Sequence, residues 1–418
     1  MQHFSERGWI FTNASCEAPI HWAKELCYRC KGLLVEILVF PLFFMGLIIV
    51  WLRSLKKTPN QKVLFGTSSI ISLKTVKSVL DSEFDITYFS FKNLNMQVSN
   101  EKSVTIENIA PQWIANDYPL LLGKYWAFLW ALDQFHVFFL YFDGGFLDRT
   151  VLYWRLEPIL YQFFGKKIAL LPYGADVWDS RKNTNLYQKY GHLVYDKGYF
   201  KEDFKKEKRV YWWCKYAHLV LSPIDYMRYI PRADVVMLFG HVLAISDHPY
   251  RFSLNDEPLK MLHFANHGIR KGSHHIASVF DSLKDKAQCQ ILEGVSRDKA
   301  LEALQHCHIF IDNIIDGFVS YASIEALLAG KIVITNMDKS LNAFYQYLDP
   351  EYYDALLAQC PIVNAHKENL EEVLQELLLL DAASLLQKSE QSRAFAVKLI
   401  EDDCAMWKKI LSNLLKAS

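Results

Sequence analysis

Hydrophobic and polar positions divide the chain into three parts. The first holds one unbroken apolar run, residues 32–52, reading GLLVEILVFPLFFMGLIIVWL with Glu36 as its single charge. A helix over this run spans about 31 Å, close to the hydrocarbon thickness of a bilayer. A soluble core helix seldom stays apolar on every face for that length, so a membrane helix is expected. The mixed residues before it argue against a cleavable signal peptide. Pro41 and Glu36 leave a re-entrant or in-plane arrangement as the alternative.

The second and third parts alternate between strand and helix patterns. Short apolar stretches at 62–65, 84–89, 135–142, 167–172, 219–221 and 235–238 read as strands, with helical periodicity at 73–80, 119–132 and 151–164. Unbroken apolar strands such as 135–142 belong in a parallel sheet covered on both faces. A composition break with turn signals sits at 246–257, and the alternation then restarts. Strands are expected at 260–264, 289–292, 308–313, 331–335 and 361–363, with helices at 273–283, 297–305, 320–328 and 341–348, and helix from 368 onward. The fold class is therefore α/β, with two doubly wound Rossmann-like domains facing each other. The expected divisions are 1–57 for the extension and anchor, 58–244 and 245–400 for the two domains, and 401–418 for a closing helix.

Composition narrows the function classes. Of 418 residues, 51% are apolar, enough for two cores. The 46 basic and 46 acidic residues cancel, so no global field draws nucleic acid, and none is expected as a partner. Aromatic residues reach 14% and crowd the N-terminal half, which suits a bilayer surface, a sugar site or a buried core. Arg53, Lys56, Lys57 and Lys62 follow the apolar run at once, while Arg29 and Lys31 precede it among Glu17 and Glu25. This bias places the large domains on the cytoplasmic face of a single-pass anchor.

Cys214, Cys289, Cys307, Cys360 and Cys404 are scattered and read as core thiols in a reducing compartment. Cys27 and Cys30 form a lone pair with no second pair to complete a zinc site. The clusters His263, His267, His274, His275 and His306, His308 lack metal-ligand spacing. No metal and no cofactor are expected, and no dinucleotide or Walker pattern occurs.

The most informative stretch is DNIIDGFVSYASIEALLAGKIVITN, from Asp312 to Asn336. A strand ends in a carboxylate and a glycine-containing loop, a helix starts near Ser320, and Glu325 lies in its first two turns. Free N–H groups and the positive end of the dipole at such a start suit a diphosphate. Upstream, His263-Phe264-Ala265-Asn266-His267-Gly268-Ile269-Arg270-Lys271-Gly272 likewise leaves a strand and opens a helix. Two adjacent cations there suit a leaving nucleoside diphosphate.

These segments resemble the donor site of the GT-B glycosyltransferases, in particular glycosyltransferase family 4, the group 1 enzymes. The resemblance covers residues 60–418 and is strongest over 260–336. It implies a GT-B fold with an N-terminal acceptor domain and a C-terminal donor domain. The family often carries a Glu-x7-Glu pattern: Glu325 matches the second glutamate, Gly317 stands at the first, and Asp316 is the nearest carboxylate. By the same resemblance Asn266, His267, Arg270, Lys271, Asp316, Gly317, Ser320 and Glu325 hold the donor. Pro172-Tyr173-Gly174-Ala175-Asp176-Val177 resembles the family's acceptor-cleft loop. Asp176 there either takes a proton or, as we favour, fixes the loop. Asp176, Lys271 and Glu325 are the candidate catalytic residues. Gly66, Thr67, Asp143, Gly144 and Gly174 are the acceptor-side loop residues, and Ser222-Pro223 resembles the family's strand end at the domain junction.

The implied activity is transfer of a sugar from a nucleotide-diphosphate sugar to a glycan or lipid-linked acceptor, with retention, at a membrane. The alternative, motivated by Gly317, is a catalytically degenerate GT-B protein serving as a membrane scaffold or sugar-binding partner.

Overall fold

The computed structural model describes residues 18–56, 61–91, 103–119, 121–148, 150–186, 188–190, 199–240, 242–254, 258–315, 317, 319–337 and 350–416. The helix expected at 341–348 lies outside them.

Two parallel sheets organise the chain. Strands β1 (Val63–Phe65), β2 (Ile86–Tyr88), β3 (Val137–Leu140), β4 (Lys167–Leu170), β5 (Leu219–Pro223) and β6 (Val235–Met237) form the first, in the order β2-β1-β3-β4-β5-β6. Strands β7 (Lys260–Ala265), β8 (Gln288–Glu293), β9 (Ile309–Ile311), β10 (Ile332–Thr335) and β11 (Val363–Asn364) form the second, in the order β11-β10-β9-β7-β8. Every strand pairing is parallel. β1, β3, β4, β9 and β10 are buried along their whole lengths, as strands covered on both faces must be. In each sheet the strand order reverses at one place, between β1 and β3 and between β7 and β9. Ligands of such sheets bind outside the carboxyl ends of strands at these reversals.

The helices that matter here are α1 (Ala18–Ser54), α2 (Ile71–Leu80), α3 (Gly123–Gln134), α4 (Tyr153–Phe163), α5 (Asp203–Tyr216), α6 (Ser273–Leu283), α7 (Arg297–His306), α8 (Tyr321–Leu328), α9 (Pro350–Ala358), α10 (Leu370–Leu378) and α11 (Ala382–Lys416). α11 is one continuous helix, so the closing segment expected at 401–418 is its second half. That half returns to the first sheet, where Trp407 packs on Phe65 and Phe139 with ring centroids 6.2 and 5.3 Å away. Lys408 meets Glu83 at 2.5 Å, and the Lys167 ammonium donates to the Leu414 carbonyl at 2.5 Å.

Among the described residues one helix is long and apolar enough to cross a membrane, over Arg29–Ser54, and only 17% of its most apolar window is buried. α1 extends beyond the expected 32–52 at both ends and runs through Pro41. It also lies flush along α3. Phe43 packs on Tyr125, Phe128 and Tyr153 at 5.3, 6.0 and 5.4 Å, Gly46 faces Leu129, and Arg53 comes within 3.8 Å of Asp133. Glu36 is buried, and its carboxylate accepts from the backbone N–H of Val151 and, at 2.9 Å, of Leu152. These groups sit at the start of α4, where N–H donors lack intrahelical partners and the dipole favours an anion. The one charge in the apolar run is therefore a cap for a neighbouring helix.

Candidate functional site

The second-domain side of the site is built on the ends of β7 and β9. After β7, Asn266 and His267 lead into one helical turn, Gly268–Lys271, which Gly272 closes at φ 84°. A side chain at 272 would strain this left-handed residue and bring a Cβ to 2.7 Å from Ile314. The tight turn aims Lys271 back at Asp312, at the end of β9, 2.5 Å away. Asp312 is buried and also accepts from the Ser323 hydroxyl at 2.6 Å and the Ser320 N–H at 3.3 Å. Burial alone would raise the Asp312 pKa. The charge and hydrogen bond of Lys271, with Ser320 and Ser323, hold it below the usual carboxylate range. The ionised Asp312 thus fixes the ammonium of Lys271 beside the start of α8.

Glu325 lies in the second turn of α8 and is buried. Arg297, the first residue of α7 after the N-cap Ser296, donates to its carboxylate. Burial pushes the Glu325 pKa up, and the Arg297 charge opposes it. Asn266, His267, Arg270, Lys271, Ser320 and Glu325 line one cavity of about 490 Å³, together with Arg297, Tyr321 and, from the first domain, Ile71. Burial, reinforced by Arg270 and Lys271, lowers the His267 pKa and keeps its imidazole neutral near pH 7. Gly317 lies outside this lining, at φ 71°, where a Cβ would overlap the side-chain amide of Asn185 from the first domain. Asp316 lies outside the described residues.

A second cavity, about 320 Å³, opens where β1 and β3 end. Thr67, Ser68, Lys124, Asp143, Gly144 and Tyr173 contribute to its lining. Asp143 accepts from the Ser68 hydroxyl, while its Oδ1 is buried without a hydrogen-bond partner among the described residues. Burial pushes its pKa up to about 6. Gly66 stays behind this lining, tight against the Phe89 carbonyl. Asp176 is only 1% exposed and lines neither cavity. Its carboxylate accepts from the N–H groups of Tyr173, Gly174 and Phe142 at 3.0, 2.9 and 3.0 Å. It holds the Gly174 turn, at φ 118°, and leaves no oxygen facing open space for a proton transfer.

A smaller cavity of about 180 Å³ joins the two. It shares Ile71, Ser320 and Tyr321 with the cavity at Glu325 and Ile70 and Tyr173 with the cavity at Asp143. Pro223 also lines it, so the expected Ser222-Pro223 strand end does lie at the domain junction. Thr75 of α2 and Tyr321 of α8, which lines it, are hydrogen-bonded at 3.2 Å. The three cavities therefore share walls from Glu325 to Asp143, past the carboxyl ends of both sheets.

No known family model matches the sequence, and no curated protein does. Solved structures do resemble it. Sucrose-phosphate synthase from Thermosynechococcus elongatus aligns over 87% of this chain and 100% of its own, at 10% identity and TM-score 0.57. The N-terminal domain of trehalose-6-phosphate phosphatase from Candida albicans aligns over 85% and 97%, at 8% identity and TM-score 0.52. HepE of Anabaena, solved in complex with UDP-glucose, aligns over 83% and 99%, at 10% identity and TM-score 0.50. The fold is that of the GT-B glycosyltransferases. At these identities the likeness is one of fold, and the site rests on this chain's own residues.

In the GT-B frame the cavity at Glu325 belongs to the C-terminal domain and the cavity at Asp143 to the N-terminal domain. Sequence reasoning missed Arg297 and Tyr321 in the cavity lining, and Asn185 opposite Gly317. Arg297 carried a usable signal: it follows the carboxyl end of β8 directly, on the ligand-binding edge. Asn185 carried none, because its place opposite Gly317 depends on how the two domains meet.

Proposed function

We propose that this chain is a glycosyltransferase that moves a sugar from a nucleoside-diphosphate sugar to a hydroxyl of a membrane-associated acceptor, a lipid-linked saccharide. The observation that carries this reading is the convergence of Lys271, Arg270, Arg297 and Glu325 with the start of α8 on one cavity. The diphosphate lies against the first turn of α8, where free N–H groups and the dipole favour an anion. Lys271, held by Asp312, neutralises charge as the diphosphate leaves, and it needs no rearrangement to do so. Glu325 accepts from ribose hydroxyls, and Arg297 donates to its carboxylate and opposes the effect of burial. Asp176 positions the loop beside the joining cavity and takes no part in proton transfer.

The acceptor enters the cavity at Asp143, whose carboxylate receives its hydroxyl. Transfer takes place in the joining cavity, beneath Tyr321. Retention of configuration is the stereochemistry this reading carries over from the resemblance to family 4. The exposed apolar surface of α1 supports a place at a bilayer, and Arg53 and Lys56 at its end favour the cytoplasmic face.

Nucleoside-diphosphate release from a panel of nucleotide sugars, with a membrane lipid extract as acceptor source, tests this reading. UDP-glucose is the first donor to try, because HepE was solved with it. Release that depends on both donor and extract supports the assignment. Absence of release with every donor, from a folded protein, contradicts it.

A further inference from the structure

We propose that α1 lies in the plane of the membrane, sunk with α4 into one leaflet, and does not cross the bilayer. The inference builds on the membrane association proposed above and replaces the span that length and hydropathy suggested.

The two faces of α1 carry the argument. One face, recurring at Gly32, Glu36, Val39, Phe43, Gly46, Val50 and Arg53, is spent on the first domain from end to end. A helix crossing the bilayer would have to break all of these contacts or drag α3 and α4 into the hydrocarbon. The opposite face, recurring at Leu34, Leu38, Leu42, Met45, Ile49 and Leu52, is exposed, Leu38 to 77%. Both sets advance by three or four residues, which is the period of two opposed stripes on one helix.

α4 presents a matching stripe. Leu152, Leu156, Ile159 and Phe163 are all exposed, Phe163 to 69%. Glu36 joins the two helices through the N–H groups of Val151 and Leu152, and the Tyr153 hydroxyl donates to the Glu36 carbonyl at 3.0 Å. An exposed apolar surface on two latched helices is far larger than the scattered apolar residues of an ordinary surface.

Charge identifies the occupant as an anionic leaflet. Between Leu26 and Lys56 the only acid is Glu36, and in α4 the only acid is Glu157, and both are buried. Among the residues whose side chains are described, the exposed charges at the ends and edge are all basic: Arg29, Lys31, Arg53, Lys56 and Arg155. Such a frame suits anionic headgroups around an apolar face seated below them. The chain from Asp143 to Leu152 connects the acceptor-side cavity to this face. Glu157 stiffens it by accepting from the N–H groups of Phe146 and Leu147 at 2.8 and 2.7 Å.

The test uses the full-length protein bound to the outside of vesicles of phosphatidylcholine and phosphatidylglycerol. One reactive cysteine is kept, either Cys27, which is exposed, or Ser54→Cys at the other end of α1. An impermeant maleimide added outside labels both positions if the helix lies in plane. Protection of one end until detergent is added overturns the proposal. A second arm replaces exposed residues that no fold contact needs, as Leu156→Lys with Phe163→Lys. Vesicle binding falls at least tenfold if α4 sits in the leaflet; undiminished binding means α1 alone holds the protein and overturns it. Failure of the wild type to bind vesicles, with concentration-dependent dimerisation instead, assigns the face to a second copy and also overturns it. Nucleoside-diphosphate binding needs no vesicle, so it tells a failure of the transferase reading apart from a failure of this one.

Discussion

Arg297, at the start of α7, donates to the buried carboxylate of Glu325 on α8, and this pair ties together two helices that line the same cavity. Burial raises the Glu325 pKa, and the Arg297 charge and hydrogen bond oppose it most, with a smaller contribution from Lys271. Removing the Arg297 cation leaves a buried carboxylate without its main partner.

Arg297→Ala is therefore expected to destabilise the protein by about 2–4 kcal/mol, as breaking one side of a buried ion pair does. The loss is larger near pH 8 than near pH 5, because a carboxyl with a raised folded pKa is relieved by protonation at low pH. Adding Glu325→Gln recovers part of it. Denaturant unfolding of the two single variants and the double variant measures the coupling. Strict additivity would show that the pair is not coupled.

Gly317 stands where the family's first glutamate would fall, and its φ of 71° explains why no larger residue is there. The left-handed backbone costs a side chain about 1–2 kcal/mol, and Asn185 occupies the space its Cβ would need. Gly317→Glu should thus lower stability and donor turnover instead of completing a two-glutamate pattern. Adding Asn185→Ala relieves the overlap but not the backbone strain. Thermal unfolding and donor turnover of both variants check this; a gain in turnover by Gly317→Glu alone would contradict it.

What the sequence disclosed follows from what periodicity and strand ends encode. The apolar runs over 137–142 and 309–311 hold the buried β3 and β9 because only a doubly covered strand tolerates apolar residues on both faces. Lys271 and Glu325 were legible because both follow strands, and strand ends face the cleft. That Asp312 holds Lys271 and Arg297 holds Glu325 was not legible, since the approach of α7 to α8 and of the 268–271 turn to β9 is a tertiary matter. Glu36 read as a charge within a membrane run. Its role as a cap on α4 needs the docked helix, although the glycines Gly32 and Gly46 on the docking face mark where α1 comes close to its neighbours.

Asp143 lines the cavity proposed for the acceptor, and burial pushes its pKa up to about 6. Its carboxylate form, the form that accepts from a hydroxyl, predominates above that value. Turnover is expected to rise through about pH 6, and Asp143→Asn should flatten this limb and raise the acceptor KM more than the donor KM. An unchanged pH profile in Asp143→Asn would remove Asp143 from the acceptor site.

Asp403, on α11, is buried with Oδ2 unpartnered among the described residues, and burial pushes its pKa up to about 8. A carboxyl with a raised folded pKa contributes most below its ordinary value, and that stability is lost as pH rises through about 8. Asp403→Asn should therefore stabilise the protein by about 1–2 kcal/mol near pH 8 and by less near pH 5. Melting temperatures at the two pH values decide it, and an equal effect at both would refute the titration.

Calorimetric titration of UDP, GDP and ADP into the wild type, Glu325→Gln and Lys271→Ala is the most direct test of the donor site. The wild type is expected to bind at least one of them, with each variant at least tenfold weaker and its fold intact by circular dichroism. Wild-type affinity in both folded variants, or no binding by the wild type to any nucleoside diphosphate, would contradict the account.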